Sequence, residues 1–205
     1  MRIESLTAQP DRAGRYRAVF SDGSTMRLYR QTVEDFGLYT GLEMDDADFA
    51  KLKIAAGQMS AKMRAVRIVA ASSVSQKDLE QRLIQKGEDP KQAKEAVQWL
   101  EELELIDDRK TAEAIVSRCI SKGYGLARAK QALYEKRISK EYWQEALEDY
   151  PDQLDAIVAF LESRLTGEAD QKEVKKAINA LMRRGHSYHE IRKGLQSLNQ
   201  DFSED

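Results

Sequence analysis

Few side chains in this chain could carry reaction chemistry: His186 and His189, the single Cys119, the adjacent Asp107-Asp108, and a large supply of lysine and arginine. The two histidines lie three residues apart beside a helix start, and a two-histidine metal site needs a further carboxylate. Glu190 is adjacent but is rotated by about 100° on a helix, so the set does not converge. Cys119 stands between Val116 and Ile120, a setting for a small buried side chain rather than an activated nucleophile. A lone cysteine also excludes an intramolecular disulfide and a cysteine metal cluster. Asp107-Asp108 precedes a helical stretch and reads as a cap, not as an acid–base pair. Gly123-Tyr124-Gly125 is too short to cradle a phosphate and lacks the following Lys-Ser/Thr. No catalytic residue, cofactor, metal site or small-molecule substrate is expected. What remains is charge, and therefore binding.

The mean charge is uninformative. With 33 basic and 35 acidic residues in 205, the formal net charge is -2, which taken alone argues against a nucleic-acid partner. Along the chain the sign alternates. Residues 51–86 carry +6, 88–113 carry -5, 118–137 carry +5, 141–155 hold six acids and no base, and 171–195 carry +5.

The elements that position these charges fall into two kinds. Residues 1–44 hold polar–apolar alternation in Arg15 to Phe20 and Thr25 to Arg30, with Asp22-Gly23 between them, the pattern of a β-hairpin. Arg2 to Leu6 adds a third strand, and so small a sheet must pack on the adjoining helical region. From Asp45 onward the period is helical. Only three prolines and 11 glycines fit long helices, and no run of 18 apolar residues exists to span a membrane. The start of the chain has no apolar signal segment, so a cytoplasmic location is expected.

Three helices are copies of one another. Anchored on Leu83, Leu133 and Leu181, they carry Leu79, Ala129 and Ala177 four residues earlier and Lys86, Lys136 and Arg184 three later. Gly87, Arg137 and Gly185 come next, then Ala93, Trp143 and Ile191, then Val97, Leu147 and Leu195, without a gap. The glycines suit helix C-termini and the preceding bases suit the dipole. Ser75, Asp89-Pro90, Ser139 and Ser187-x-x-Glu190 are the expected caps. The expected fold is mainly α: tandem three-helix repeats in an elongated array with a small N-terminal β-sheet. The divisions are a β extension over 1–44, repeats over 45–107, 108–150 and 151–199, and an acidic tail over 200–205.

The ordered set Ser75-x-x-Asp78-Leu79-x-x-Arg82-Leu83-x-x-Lys86-Gly87, Leu105-Ile106-Asp107-Asp108, Arg118 with Gly123-Tyr124-Gly125, Leu133-x-x-Lys136, and Arg184-Gly185-x-Ser187-Tyr188-x-x-Ile191 resembles the RecX regulatory family over about residues 60–198. The N-terminal hairpin also resembles the β extension of some members. Two departures stand out. Arg137 replaces the glycine expected after Lys136, where a left-handed non-glycine residue costs about 1 kcal/mol or more, and Ser72-Ser73 occupy a stretch where members often carry a base. The resemblance implies a modulator, usually an inhibitor, that binds RecA–single-stranded-DNA filaments.

The residues themselves offer a matching surface. At about 100° per residue, Lys172, Lys175, Lys176 and Arg183 share one side of a helix whose other side carries Val174, Ala177, Ile178, Leu181 and Met182. In repeat register Lys77 aligns with Lys175 and Arg128 with Lys176, and stacked repeats would line these stripes along one concave surface. Such bases can track phosphates without reading sequence. The nucleic-acid candidates are Lys77, Arg82, Lys86, Arg118, Arg128, Lys130, Lys136, Arg137, Lys172, Lys175, Lys176, Arg183 and Arg184. Glu101, Glu102, Glu104, Glu145, Glu148 and Asp149 are candidates to face a partner protein, or they simply neutralise the surface. Lysine-rich faces are as readily just solvated. Tyr124, Tyr134 and Tyr188 lie near the basic blocks, but their helical spacing favours core packing over base stacking, as it does for Trp99 and Trp143. Two other readings stay open: a helix-turn-helix-like regulator with a preferred operator, and a purely protein-binding scaffold.

Overall fold

The computed structural model describes residues 1–165 and 170–201. The chain divides into two compact units, Met1–Ile106 and Asp107–Asp205. Most of the acidic tail expected over 200–205 lies outside the described residues.

The first unit opens with β1 (Ile3–Leu6), β2 (Arg15–Phe20) and β3 (Thr25–Tyr29), an antiparallel meander with β2 in the centre. Tyr16 faces Leu28 and Ala18 faces Met26 across the β2–β3 ladder. Gly23 (φ 81°) makes the turn, as the Asp22-Gly23 pair predicts. A short helix α1 (Arg30–Asp35) comes directly after β3, so the N-terminal extension is not purely β.

The sheet buries Ile3, Ala18, Phe20 and Leu28 against Phe49, Leu52 and Ala56 of α2 (Asp46–Ala71). Phe20 and Phe49 meet edge to face at 4.9 Å. The second half of α2 turns a different side, Ala61 and Ala65, to α3 (Gln76–Gln85) and α4 (Pro90–Glu102). At about 100° per residue these two buried faces are almost opposite each other, so one 26-residue helix closes two cores. Alanines at 61, 65, 93 and 96 keep the helices close. Glu88, buried at the α3–α4 turn, accepts from Ser60 Oγ at 3.0 Å and pairs with Arg64 Nε at 2.6 Å.

The second unit holds α5 (Asp108–Ser121), α6 (Leu126–Glu135), α7 (Glu141–Leu147), α8 (Leu154–Glu162), α9 (Gln171–Arg183) and α10 (Tyr188–Asp201). Ala112, Val116, Leu133 and Ile138 form one core, flanked by Trp143 and Tyr150. Ile157, Leu161, Ala177, Leu181, Ile191 and Leu198 form the other.

The three anchor leucines are fully buried, and each accepts the same closing hydrogen bond. Glu88, Ile138 and His186 donate their N–H groups to Leu83, Leu133 and Leu181 at 3.1, 3.1 and 3.2 Å. The residue before each donor is left-handed: Gly87 (φ 88°), Arg137 (φ 56°) and Gly185 (φ 89°). The middle turn therefore keeps the Schellman geometry and carries the strain of a non-glycine residue, roughly 1–2 kcal/mol. Of the expected caps, Ser75 accepts from Asp78 N at 3.1 Å and Asp89 from Lys91 N at 2.9 Å. Ser187 and Glu190 close a reciprocal box at 2.6 and 3.2 Å. Asp107 caps α5 through Lys110 N at 3.1 Å. Ser139 is different: the N-cap position of α7 falls on Lys140, which makes no side-chain cap among the described residues.

Candidate nucleic-acid interface

The most complete basic face belongs to α9. Asp170 and Glu173 fasten its start as a capping box, and Ala177 and Leu181 pin its inner side into the core. The remaining circumference presents Lys172, Lys175, Lys176 and Arg183, all exposed. Among the described residues none of the four has an acid within ion-pairing distance. Lys176 and Arg183 reach a groove of about 430 Å³ between α8 and α9, with Phe160, Arg164, Glu173 and Ala180. Arg164 is not among the candidates that charge patterning supplies. Its guanidinium sits 5.6 Å from the Phe160 ring and that of Arg184 at 4.5 Å, so Arg184 is partly committed to its own repeat. Met182, placed on the apolar stripe by spacing, is half exposed instead.

The other repeats carry thinner stripes. On α6, Lys130 is exposed, but Arg128 is held by Glu135 at 3.1 Å. A hydrogen bond from Gln131, and then that pairing, hold the Glu135 carboxyl below its ordinary value. Arg118, Lys136 and Arg137 are exposed. In the first unit Lys77 and Lys86 are exposed, whereas Arg82 pairs with Asp78 at 2.9 Å. Asp78 is the register equivalent of Arg128 and Lys176, so the basic row is broken there.

Among the acids, Glu101, Glu102, Glu104, Glu148 and Asp149 are exposed. Glu145 is bound by Arg109 at 2.8 Å. Leu103 and Leu105, either side of the left-handed Glu104 (φ 55°), are also half exposed, a feature that periodicity does not reveal.

The tyrosines correct an expectation. Tyr134 and Tyr188, expected to be packed, are 69% and 61% exposed. Tyr124 is half-buried, and its carbonyl accepts from Tyr150 Oη at 2.6 Å. Trp99 and Trp143 do pack against their cores.

The α6 and α9 helix ends meet inside the second unit. Gly125 N–H donates to Arg184 O at 3.0 Å and Ala127 N–H to Gly185 O at 3.3 Å. The positive end of one helix thus meets the negative end of another. His186 is buried in this joint with Nε2 3.0 Å from Gly123 O, and its Nδ1 finds no partner among the described residues. Burial holds its pKa below the ordinary value, against the pull of the Gly123 carbonyl and Glu190. Burial likewise raises the Cys119 thiol, against nucleophilic activation, and pushes the Tyr150 phenol up to about 12. Among the described residues no cluster of three His, Cys, Asp or Glu side chains could hold a metal ion, and no helix is long and apolar enough to cross a membrane.

A family model described as "RecX, second three-helix domain" matches residues 107–147, the α5–α7 triplet. The chain is 27% identical over 146 residues to "Regulatory protein RecX" of Vibrio parahaemolyticus, covering 70% of this chain and 94% of that protein. It is 28% identical over 140 residues to the protein of that name from Halorhodospira halophila, covering 67% and 87%. Among solved structures, a regulatory protein RecX superposes with TM-score 0.65 at 21% identity, over 94% of this chain and 98% of that one. RecX from Lactobacillus salivarius superposes at 0.61 and 23%, over 71% and 99%. The triplet architecture, the in-register C-caps and these likenesses converge: the chain is similar to RecX regulatory proteins over about two thirds of its length and matches that family's second three-helix domain over residues 107–147.

Proposed function

We propose that this chain is a non-enzymatic cytoplasmic regulator that binds the RecA recombinase assembled on single-stranded DNA and inhibits it. The observation that carries the reading is the four-cation face of α9, exposed and unmatched by acids among the described residues. Lysine and arginine spaced along a helix exchange condensed counterions for phosphates, which favours binding without sequence readout. Lys130 and Arg137 extend the same chemistry to the second repeat. Glu101, Glu102, Glu104, Glu148 and Asp149, all exposed, are left to face a basic surface of the recombinase. A protein holding both strand and protomer weakens the contacts between protomers on the strand, which accounts for inhibition. The curated relatives' shared name, regulatory protein, supports a regulatory rather than catalytic role.

Charge reversal of Lys175, Lys176 and Arg183 tests it. Each phosphate contact to a single strand contributes about 0.7 to the log–log salt slope, so losing three lowers it by about 2. Filament binding should weaken, and inhibition of strand exchange and of ATP hydrolysis should fall with it. Unchanged affinity, slope and inhibition would remove α9 from the interface. Binding to the recombinase equally well without DNA would point to a protein scaffold, and preference for one duplex sequence to an operator-binding regulator.

A further inference from the structure

We infer that Tyr134 and Tyr188 are stacking platforms for the bases of single-stranded DNA; this rests on the reading above that the basic blocks meet phosphates. Tyrosine is amphipathic, and where this fold uses one structurally it engages the ring or the hydroxyl. Tyr29 is buried and accepts from Arg67 at 2.9 Å, Tyr150 donates to Tyr124 O, and the Tyr124 ring lies under Lys122 at 6.0 Å. Tyr134 and Tyr188 have none of this. Among the described residues no ring contact or hydroxyl hydrogen bond involves either, and both rings are mostly in solvent.

Their surroundings select the occupant. Tyr134 stands one turn after Lys130 and three residues before Arg137, both exposed. In a helix, residues four apart share a face, so Lys130 stands beside the ring, and Arg137 follows just past the helix end. Tyr188 opens α10 with Arg192 one turn on and Arg184 four residues back, both exposed. An aromatic face between cations suits a polyanion that offers flat π surfaces between its charges. Single-stranded DNA does so, whereas a duplex hides its base faces in the stack. Repeat one lacks the device: the positions equivalent to Tyr134 and Tyr188 are the half-buried Ile84 and the exposed Pro90. Tyr39 is a control within the molecule. It is 60% exposed, the stretch 31–50 around it holds no lysine or arginine, and Arg30, which shares its groove, stands 4.0 Å from the Glu34 carboxylate.

The experiment is fluorescence anisotropy of a dye-labelled oligodeoxythymidylate with the full chain over a salt series. It compares wild type with Tyr134→Ala, Tyr188→Ala, the two Phe variants and Tyr39→Ala. Each Ala variant at 134 or 188 should lose about fivefold to a hundredfold in affinity. The salt slope should stay unchanged, because no phosphate contact is removed. Phe should bind like wild type and Tyr39→Ala should be silent. Unfolding midpoints should not move, since both side chains are solvent-facing. A wild-type chain that ignores the oligonucleotide overturns the parent reading and this one with it. Salt-dependent binding that is indifferent to Tyr134→Ala and Tyr188→Ala overturns the stacking alone. So does a loss that Phe does not rescue, or one that lowers the salt slope.

Discussion

Gly87 and Gly185 form a matched pair, one in each unit, at the same repeat position and with almost the same φ, 88° and 89°. What differs is space. A Cβ at 87 meets nothing within 4 Å, whereas at 185 it would overlap the backbone nitrogen of Arg128 and come within 2.9 Å of its Cα. Alanine at either site bears left-handed strain of roughly 1–2 kcal/mol. A smaller unfolded-state entropy offsets about 0.4–1 kcal/mol of that, so Gly87→Ala should destabilise the first unit by about 1 kcal/mol. Gly185→Ala adds overpacking of roughly 1–3 kcal/mol against backbone that has no rotamer to relieve it. It also strains the Gly125–Arg184 and Ala127–Gly185 hydrogen bonds, each contributing about 1 kcal/mol. The expected loss in the second unit is about 3–5 kcal/mol. The assay is built in, because Trp99 lies in the first unit and Trp143 in the second. Urea unfolding of single-tryptophan variants reads each unit separately. If Gly185→Ala costs within about 0.5 kcal/mol of Gly87→Ala, a difference no larger than ordinary surface scatter, the joint between α6 and α9 yields freely and the packing argument is wrong.

Two further outcomes concern buried groups. His186 has a lowered pKa in the fold, while the unfolded chain titrates near about 6.5. The unfolded state then binds more protons, so this contribution to stability is present above that value and is lost as pH falls below it. The Trp143-monitored midpoint should drop between pH 7.5 and 5.5 (values on the order of one unit either side of the histidine pKa), and His186→Asn should flatten the change. A slope that survives His186→Asn assigns it to another group. Both histidines are in the second unit, so the Trp99 signal should show no histidine step. In the first unit, Arg64→Met strands the buried Glu88 carboxylate, with Ser60 its remaining side-chain partner among the described residues. The expected loss is about 2–3 kcal/mol, below the usual figure for a buried pair because Arg64 is partly solvated. Adding Glu88→Gln should recover part of it in a double-mutant cycle, and strict additivity would deny the coupling.

Much of this architecture is local, and what is local is legible. The β2–β3 hairpin is written in the alternation around Asp22-Gly23. The three C-caps need only an apolar anchor and a left-handed residue four positions later, and Arg137 adopts that conformation even without glycine. The α9 charge face needs only helical periodicity and a buried opposite side. None of these depends on what lies far away in sequence.

Other features depend on neighbours that spacing cannot name. Helical period assigns a residue to an arc, but at the edge of the arc a neighbouring element decides between core and water. Ile84, Tyr134 and Met182 share one repeat position, yet the first is half-buried and the other two are exposed. The two faces of α2 blur a single apolar stripe because each end serves its own core. Arg64 looks like a free cation until folding brings it to the buried Glu88, 24 residues on, whereas the Asp78–Arg82 and Arg128–Glu135 pairs lie along single helices and are open to spacing. Gly125 and Gly185, sixty residues apart, show their role only when two helix ends meet backbone to backbone. The sequence by itself determined the repeated helical unit, its caps and the sign of each block, because these rest on backbone geometry within a few residues. The pairing of Arg64 with Glu88 and of Arg109 with Glu145, and the exposure of Tyr134 and Tyr188, follow from tertiary structure alone, because each turns on what is packed beside it.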